Sequence, residues 1–270
     1  MAYKTLKPVR VPAAIESKYH KKLKALVEKT HKSLLYWLKA EYRKNEKLIA
    51  DSPTSSMSKE LRRLKAYWRK MYGEEAEEIA KWFANQMRRH TAGNLQSQFR
   101  NVTNAVGGFD LDFKYMSQKE RFVFRAIVES NVNLIKSIGE QYLTQVEGIV
   151  LRSIEVGNDL GEMTEQLGSQ YDITMRRAAM ISRDQTAKAN ENLSRTRLMD
   201  YGVTQARWMH TSSGKTYRES HVDMDGEIYD LNQGCYDPDY GGYIHPAELV
   251  NCRCVCVPII PTGEPEGQIE

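Results

Sequence analysis

The sequence predicts an α+β protein, with a mainly α-helical body and a small C-terminal β-rich cap. Apolar residues recur at three- and four-residue spacing through most of the first 200 positions, which is typical of amphipathic helices. After Tyr201-Gly202 the pattern changes to short alternating segments bounded by Gly, Asp and Pro. Such segments are typical of strands joined by turns, so the cap is expected to begin there.

The N-terminal half is expected to contain an extended arm followed by a basic helical region. Pro8 and Pro12 disfavour helix in the residues before them, so residues 1–12 are predicted to be an extended arm. Residues 13–106 form the basic helical region, and Gly73 is expected to interrupt it.

The remaining chain divides into three further segments. Residues 114–200 are predicted to be a central helical region with a gap at Gly139, and residues 203–260 form the α+β cap. Residues 261–270 are rich in Pro, Gly and Glu, so we expect a mobile tail.

Cysteines at alternating positions mark the end of the cap. Cys252, Cys254 and Cys256 lie two residues apart, so on an extended strand their side chains would share one face. Upstream, Asp225-Gly226 is a strong hairpin signal and predicts a second β segment over residues 218–229.

Positive charge is concentrated in the first quarter of the chain. Residues 1–72 contain 19 Lys and Arg against 6 Asp and Glu, although the whole chain has a net charge of only +4. A solvated helix face is one interpretation, and contact with DNA or an acidic protein surface is the other. The candidate contact residues are Lys21, Lys22, Lys24, Arg62, Arg63 and Lys65.

A set of cap residues carries a family resemblance. The set consists of Trp208, Thr211, Arg218, His221 and Gly226, followed by Asn251, Cys252, Arg253, Cys254 and Pro258. These residues resemble the C-terminal signature of the Mu F-like phage head morphogenesis proteins, and the similarity extends over roughly residues 150–258. Family members often carry an Asp at a position that falls here in Ser212-Ser213-Gly214, so its role does not transfer.

The resemblance implies a non-enzymatic minor capsid protein that acts in head morphogenesis at the portal vertex. The implied partners are the portal protein and capsid or scaffold proteins, in the context of DNA packaging. The basic helical region adds packaged DNA, contacted without sequence preference, as a further expected partner. The sequence has neither a membrane-spanning apolar run nor a signal peptide. We therefore expect synthesis in the host cytoplasm and a final place in the virion head.

Cysteine and histidine in the cap are open to two interpretations. Cys252, Cys254, His221 and His245 are the residue types of a tetrahedral zinc site, with Cys235 as a substitute for His245. However, a Cys-x-Cys pair is closer than the usual zinc spacing, and reduced cysteine is often simply buried. The sequence therefore favours packed thiols without a cofactor over zinc.

An enzymatic alternative is a metal-dependent nuclease or a toxin-like domain. His221, Asp223 and Asp225 could hold Mg²⁺ or activate water. Against it, Asp225 is explained by the Asp-Gly turn, and no convergent set of carboxylates is visible. Polar residues within a predicted helix are expected to cap or brace the β-rich segment through hydrogen bonds to its backbone, and the candidates are Arg183, Asp184 and Gln185.

Overall fold

Four long helices precede most of the strands. The structure, a computed structural model, describes residues 2–46, 53–106, 115–156, 160–211 and 217–262. None of the described helices has the length and apolar character needed to cross a membrane. The helices are α1 (Ala13–Glu46), α2 (Pro53–Val106), α3 (Gln118–Val156), α4 (Leu160–Asp200) and the short α5 (Glu219–Asp223).

The two glycine interruptions predicted from the sequence are wrong. Helix α2 continues through Gly73 and α3 continues through Gly139. A glycine inside a helix costs about 1 kcal/mol relative to alanine, which tertiary packing readily outweighs. On α2 the flanking Tyr72 and Ala76 are both buried, so packing holds the helix together on either side of Gly73.

Gly139 is required by the ring of Tyr72. A Cβ atom at position 139 would lie only 2.6 Å from carbon atoms of that ring, closer than real Cβ atoms approach. The ring itself is buried and has little room to move away. The glycine therefore permits close packing of two helices at this point.

Gly139→Ala and Gly73→Ala form a matched pair of variants with opposite expected effects on the free energy of unfolding. Gly139→Ala should lower the free energy of unfolding by about 1–3 kcal/mol, because the new methyl group overpacks the Tyr72 ring. Gly73→Ala should raise it by about 0.5–1 kcal/mol, because a Cβ there meets nothing within 4 Å. Urea denaturation of both variants measures the difference. Equal effects at the two positions would contradict the packing role of Gly139.

The described chain clusters into two compact units. The helical unit comprises Glu16–Trp82 and Val128–Ser182, and the β-containing unit comprises Met1–Ile15, Phe83–Ile127 and Arg183–Glu270. The predicted segments were consecutive along the chain, whereas both units are discontinuous because α2, α3 and α4 each contribute to both.

The helical unit has an apolar core with a few internal polar contacts. The Tyr19 hydroxyl donates a hydrogen bond of 2.7 Å to Asn131 Oδ1, and both residues are buried. His31 stacks on Tyr171 and makes a 2.7 Å hydrogen bond to the Tyr142 hydroxyl. The largest fully buried apolar side chains of this unit are Tyr19, Leu23, Leu34, Leu38, Leu61, Leu64 and Tyr142.

The β-containing unit is built on a four-stranded antiparallel sheet in the order β1-β6-β2-β3. A separate two-stranded ribbon pairs β4 with β5. The strands are β1 (Ala2–Thr5), β2 (Gln205–Met209), β3 (Ile228–Asp230), β4 (Cys235–Asp237), β5 (Gly242–Ile244) and β6 (Val255–Thr262).

The N-terminal residues are part of the sheet and not a free arm. Ala2–Thr5 pairs with β6, and the following Leu6 and Val9 are buried in the core of this unit. The buried side-chain amide of Asn190 on α4 donates a 2.6 Å hydrogen bond to the carbonyl oxygen of Val9. Burial of two apolar side chains and strand pairing together give this segment a fixed place.

Two boundaries of the cap differ from the prediction. Residues 219–223 form helix α5 where a β segment was expected, while Gly226 does adopt the positive φ of +92° that suits glycine in a turn. The predicted tail begins too early, because Pro261 and Thr262 belong to β6. Residues 263–270 lie outside the described residues.

Candidate metal centre

Three buried side chains converge in the β-containing unit. His221 lies on α5, while Cys252 and Cys254 lie in the turn that leads into β6. The Cys252 Sγ atom is 3.4 Å from His221 Nδ1, and the Cys254 Sγ atom is 3.7 Å from the same nitrogen. All three potential ligand atoms lie within 4.8 Å of one another.

His210 adds a second imidazole to this group. It directly follows β2, and its Nδ1 atom is 3.6 Å from Cys254 Sγ. The His210 backbone N–H donates a 2.8 Å hydrogen bond to Asp225 Oδ1, which fixes the end of the strand. The Thr211 hydroxyl donates to the carbonyl oxygen of Arg253 at 2.8 Å, which holds the strand end against the cysteine turn.

Sequence reasoning missed His210, although one signal was available. Trp208 belongs to the recognised motif, and positions two apart on a strand point to the same face. Trp208 is fully buried and packs edge-on against His221, with ring centroids 5.3 Å apart. His210 therefore follows Trp208 on the same side of β2, where it lies next to Cys254.

Asp237 lies at the opposite edge of the His221 ring. Its Oδ2 atom is 3.3 Å from His221 Nε2, and the Asp237 side chain is fully buried. The other carboxylate oxygen, Oδ1, accepts a 2.9 Å hydrogen bond from the Asp239 backbone N–H. Burial tends to raise the pKa of Asp237, but hydrogen bonds from Ser220 and the following backbone lower it overall, so the carboxyl is held ionised.

The cysteine pair titrates unequally. A hydrogen bond from the Cys254 thiol, reinforced by His221, lowers the pKa of Cys252 to about 4. The same interaction with Cys252 raises the pKa of Cys254. Burial tends to lower the pKa of His221, but Cys252 and then Asp237 raise it overall. The pKa of Cys252 is therefore shifted towards the thiolate, the form of cysteine that binds metal ions, and that of Cys254 is shifted away from it.

A cleft of about 240 Å³ opens beside this group. Arg218 and Arg253 contribute the positive charge of its wall, and the Arg218 Nη2 group donates a 3.2 Å hydrogen bond to the carbonyl oxygen of Val250. The other lining residues are His210, Thr211, Tyr217, His221, Val250, Asn251, Cys252 and Cys254.

His245 does not join the group. Among the described residues, the cluster of potential metal ligands contains His221, Cys252 and Cys254. The His245 ring lies 6.3 Å from the ring of Tyr229, and burial lowers its pKa to about 4. Cys235, the proposed substitute, is a free, partly buried thiol on β4.

Helix α4 braces the cysteine turn through Asp184, one of the three helix residues expected from the sequence to do so. The Asp184 Oδ1 atom accepts a 2.9 Å hydrogen bond from the backbone N–H of Asn251. Asn251 has a positive φ of 62°, a conformation that asparagine tolerates better than most residues. Lys188 pairs with the other Asp184 oxygen at 3.0 Å. The family-motif Asn251 therefore shapes the turn that presents Cys252.

The structure changes the set of candidate contact residues in the basic segment. Lys65 is buried and forms an ion pair with Glu147 inside the helical unit, so its charge is not available to a partner. Arg63 is exposed but pairs with Glu60 and lies over the Trp37 ring. Four predicted contact residues remain exposed, namely Lys21, Lys22, Lys24 and Arg62.

Comparison with known proteins gives one family match. Residues 144–257 match the family described as "Phage Mu protein F like protein". A Haemophilus influenzae protein, described as "Uncharacterized protein", is 30% identical over 192 residues. The alignment covers 70% of this chain and 40% of that relative, so the chain spans less than half of the relative's length. No solved structure gives a significant match.

Proposed function

Because residues 144–257 belong to the Phage Mu F-like family of phage head morphogenesis proteins, we propose that the chain is a minor capsid protein that acts at the portal vertex. Its partners are the portal protein and capsid or scaffold proteins. It is made in the host cytoplasm and becomes part of the virion head.

The observation that carries this proposal is the family match itself, which covers α4, the sheet strands β2, β3 and part of β6, and the Cys/His group. The chemistry of that group agrees with a structural role. Among the described residues, the cluster of potential metal ligands consists of two cysteines and a histidine, and no carboxylate belongs to it. Phosphodiester hydrolysis by two metal ions commonly relies on bridging oxygen ligands, so this site does not suit it.

Assembly function is tested by coexpression with the portal and major capsid proteins of the same phage or prophage. We expect the chain to copurify with the portal or with procapsids, and the purified protein to leave DNA intact in the presence of Mg²⁺. A Mg²⁺-stimulated nuclease activity that His221→Ala abolishes would instead establish the enzymatic alternative.

Contact with packaged DNA is supported by the exposed lysines of α1. Each phosphate that a lysine neutralises releases counterions, so affinity for duplex DNA should fall steeply with salt and show little sequence preference. In Lys21→Ala/Lys24→Ala, we expect the slope of log affinity against log salt to decrease by about 2, as each contact contributes about 0.9.

The matched control is Lys119→Ala/Arg121→Ala, which removes the same charge from exposed positions on α3. It should leave the salt slope close to that of the unmodified protein. If both double variants lost the same amount of salt slope, the effect would come from net charge alone and not from contacts at Lys21 and Lys24. If neither the protein nor its variants bind DNA, the basic surface serves the portal instead.

A further inference from the structure

We propose that His210, His221, Cys252 and Cys254 bind one Zn²⁺ ion in a closed tetrahedral site that holds the β-containing unit together. This inference does not depend on the proposed function. It replaces His245, expected from sequence, with His210. It also reverses the sequence-based preference for packed thiols, because the structure brings Cys252, Cys254 and His221 together and places His210 beside Cys254.

Three sulfur–nitrogen separations match those around zinc, and His210 approaches the group through Cys254. With Zn–S bonds of about 2.3 Å and Zn–N bonds of about 2.0–2.1 Å, a tetrahedral arrangement places sulfur and nitrogen roughly 3.5 Å apart. The three sulfur–nitrogen distances are 3.4 Å from Cys252 to His221, 3.7 Å from Cys254 to His221 and 3.6 Å from Cys254 to His210. Two imidazoles and two thiolates form a common ligand set of structural zinc.

Asp237 provides the outer support that zinc-bound histidines usually have. A histidine that binds metal through one ring nitrogen generally donates its other N–H to a carboxylate or carbonyl group, which fixes the tautomer. Here the Nδ1 atom of His221 faces both sulfurs, while Nε2 lies 3.3 Å from the Asp237 carboxylate.

The site would connect three segments of the β-containing unit. His210 follows β2, His221 lies on α5, and the two cysteines lead into β6. As zinc binds, Cys252 coordinates as a thiolate, Cys254 releases its proton to solvent, and two Zn–S bonds form. Because the binding free energy of a structural site contributes to folding, zinc would stabilise this arrangement of the three segments.

The first test is the metal content of the full chain, purified without a histidine tag. We expect about one equivalent of zinc per chain, since a structural site of this kind retains its metal through purification. Cobalt substitution should give the intense visible absorption of tetrahedral coordination by two sulfurs and two nitrogens. Protein that contains no zinc and takes up neither zinc nor cobalt would overturn the proposal without any variant.

Variants then identify the ligands. Cys252→Ser, Cys254→Ser, His221→Ala and His210→Ala should each lose zinc, whereas His245→Ala and Cys235→Ser should retain it. Asp237→Asn should weaken zinc binding by roughly 10- to 100-fold without removing a ligand. Full retention of zinc in Cys252→Ser, or loss in His245→Ala with unchanged secondary structure, would contradict the assignment.

Chelation separates zinc binding from packing. Removing zinc from the unmodified protein should lower its melting temperature, and added zinc should restore it. The same treatment should leave Cys254→Ser unchanged, because that variant has no zinc to lose. Identical melting before and after verified zinc removal would show that the metal does not hold this unit together.

Discussion

Arg197→Met is expected to lower the free energy of unfolding by about 3–5 kcal/mol, because it leaves a buried carboxylate without its cation. The side chains of Arg197 and Glu120 are each only 2% exposed. The Arg197 Nε and Nη2 groups donate hydrogen bonds of 3.0 and 2.6 Å to Glu120 Oε1. This pair joins the start of α3 to the end of α4 within the β-containing unit. Chemical denaturation monitored by circular dichroism measures the loss.

The double variant Arg197→Met/Glu120→Gln is the matched control. It removes both charges and keeps the side-chain volumes similar, so it should recover most of the stability lost in Arg197→Met. An equal loss in the single and double variants would attribute the effect to packing and not to the unpaired charge.

Stability should also depend on pH through Glu191, whose side chain is buried in α4 beside Cys256. Burial raises the pKa of Glu191 from the ordinary value of 4.5 to about 7. The folded state therefore holds the proton more tightly than the unfolded state. The resulting stabilisation is fully present below pH 4.5 and is lost as pH rises through 7. The difference corresponds to about 3 kcal/mol between these limits.

Glu191→Gln isolates this contribution. The difference in unfolding free energy between the unmodified protein and the variant should change by about 3 kcal/mol from pH 4.5 to 8, with the variant gaining relative stability at high pH. Taking this difference cancels the contributions of all groups that titrate in the same way in both proteins. Exposed Glu155 provides the control, since Glu155→Gln should give a nearly constant difference. A constant difference for Glu191→Gln as well would contradict the raised pKa.

Helical periodicity predicted the existence of the helices better than their continuity. Apolar residues that recur at three- and four-residue spacing, such as Leu23, Leu34 and Ile138, do lie in buried helix faces. The glycines were wrongly predicted to interrupt the helices, because a glycine destabilises a helix only slightly. The close packing that requires Gly139 involves Tyr72, a residue far away in sequence. The N-terminal strand was missed for a similar reason, because β1 is defined by pairing with β6 at the other end of the chain.

Residue type and spacing predicted part of the candidate site. Cys252, Cys254 and His221 were selected from the sequence and do lie together. The fourth ligand of the candidate site could not be chosen from residue type, because His245 and His210 are both histidines and could each bind zinc. Only the fold brings His210 to the cysteines and leaves His245 near Tyr229. The exposure of Lys65 could not be predicted either, because its ion pair with Glu147 is made with a helix that is distant in sequence.

The order of the two units' segments along the chain determines which unit can fold first during synthesis. Every residue of the helical unit precedes position 183, whereas the β-containing unit requires Met1–Ile15 and Arg183–Glu270 together. The ribosome therefore releases all of the helical unit before the last strand of the sheet exists. Until β6 emerges, the first strand has no hydrogen-bonding partner and the cysteine turn is absent. Closure of this long-range pairing is the slow, nonlocal step that contact order predicts, and it must wait until β6 has been synthesised.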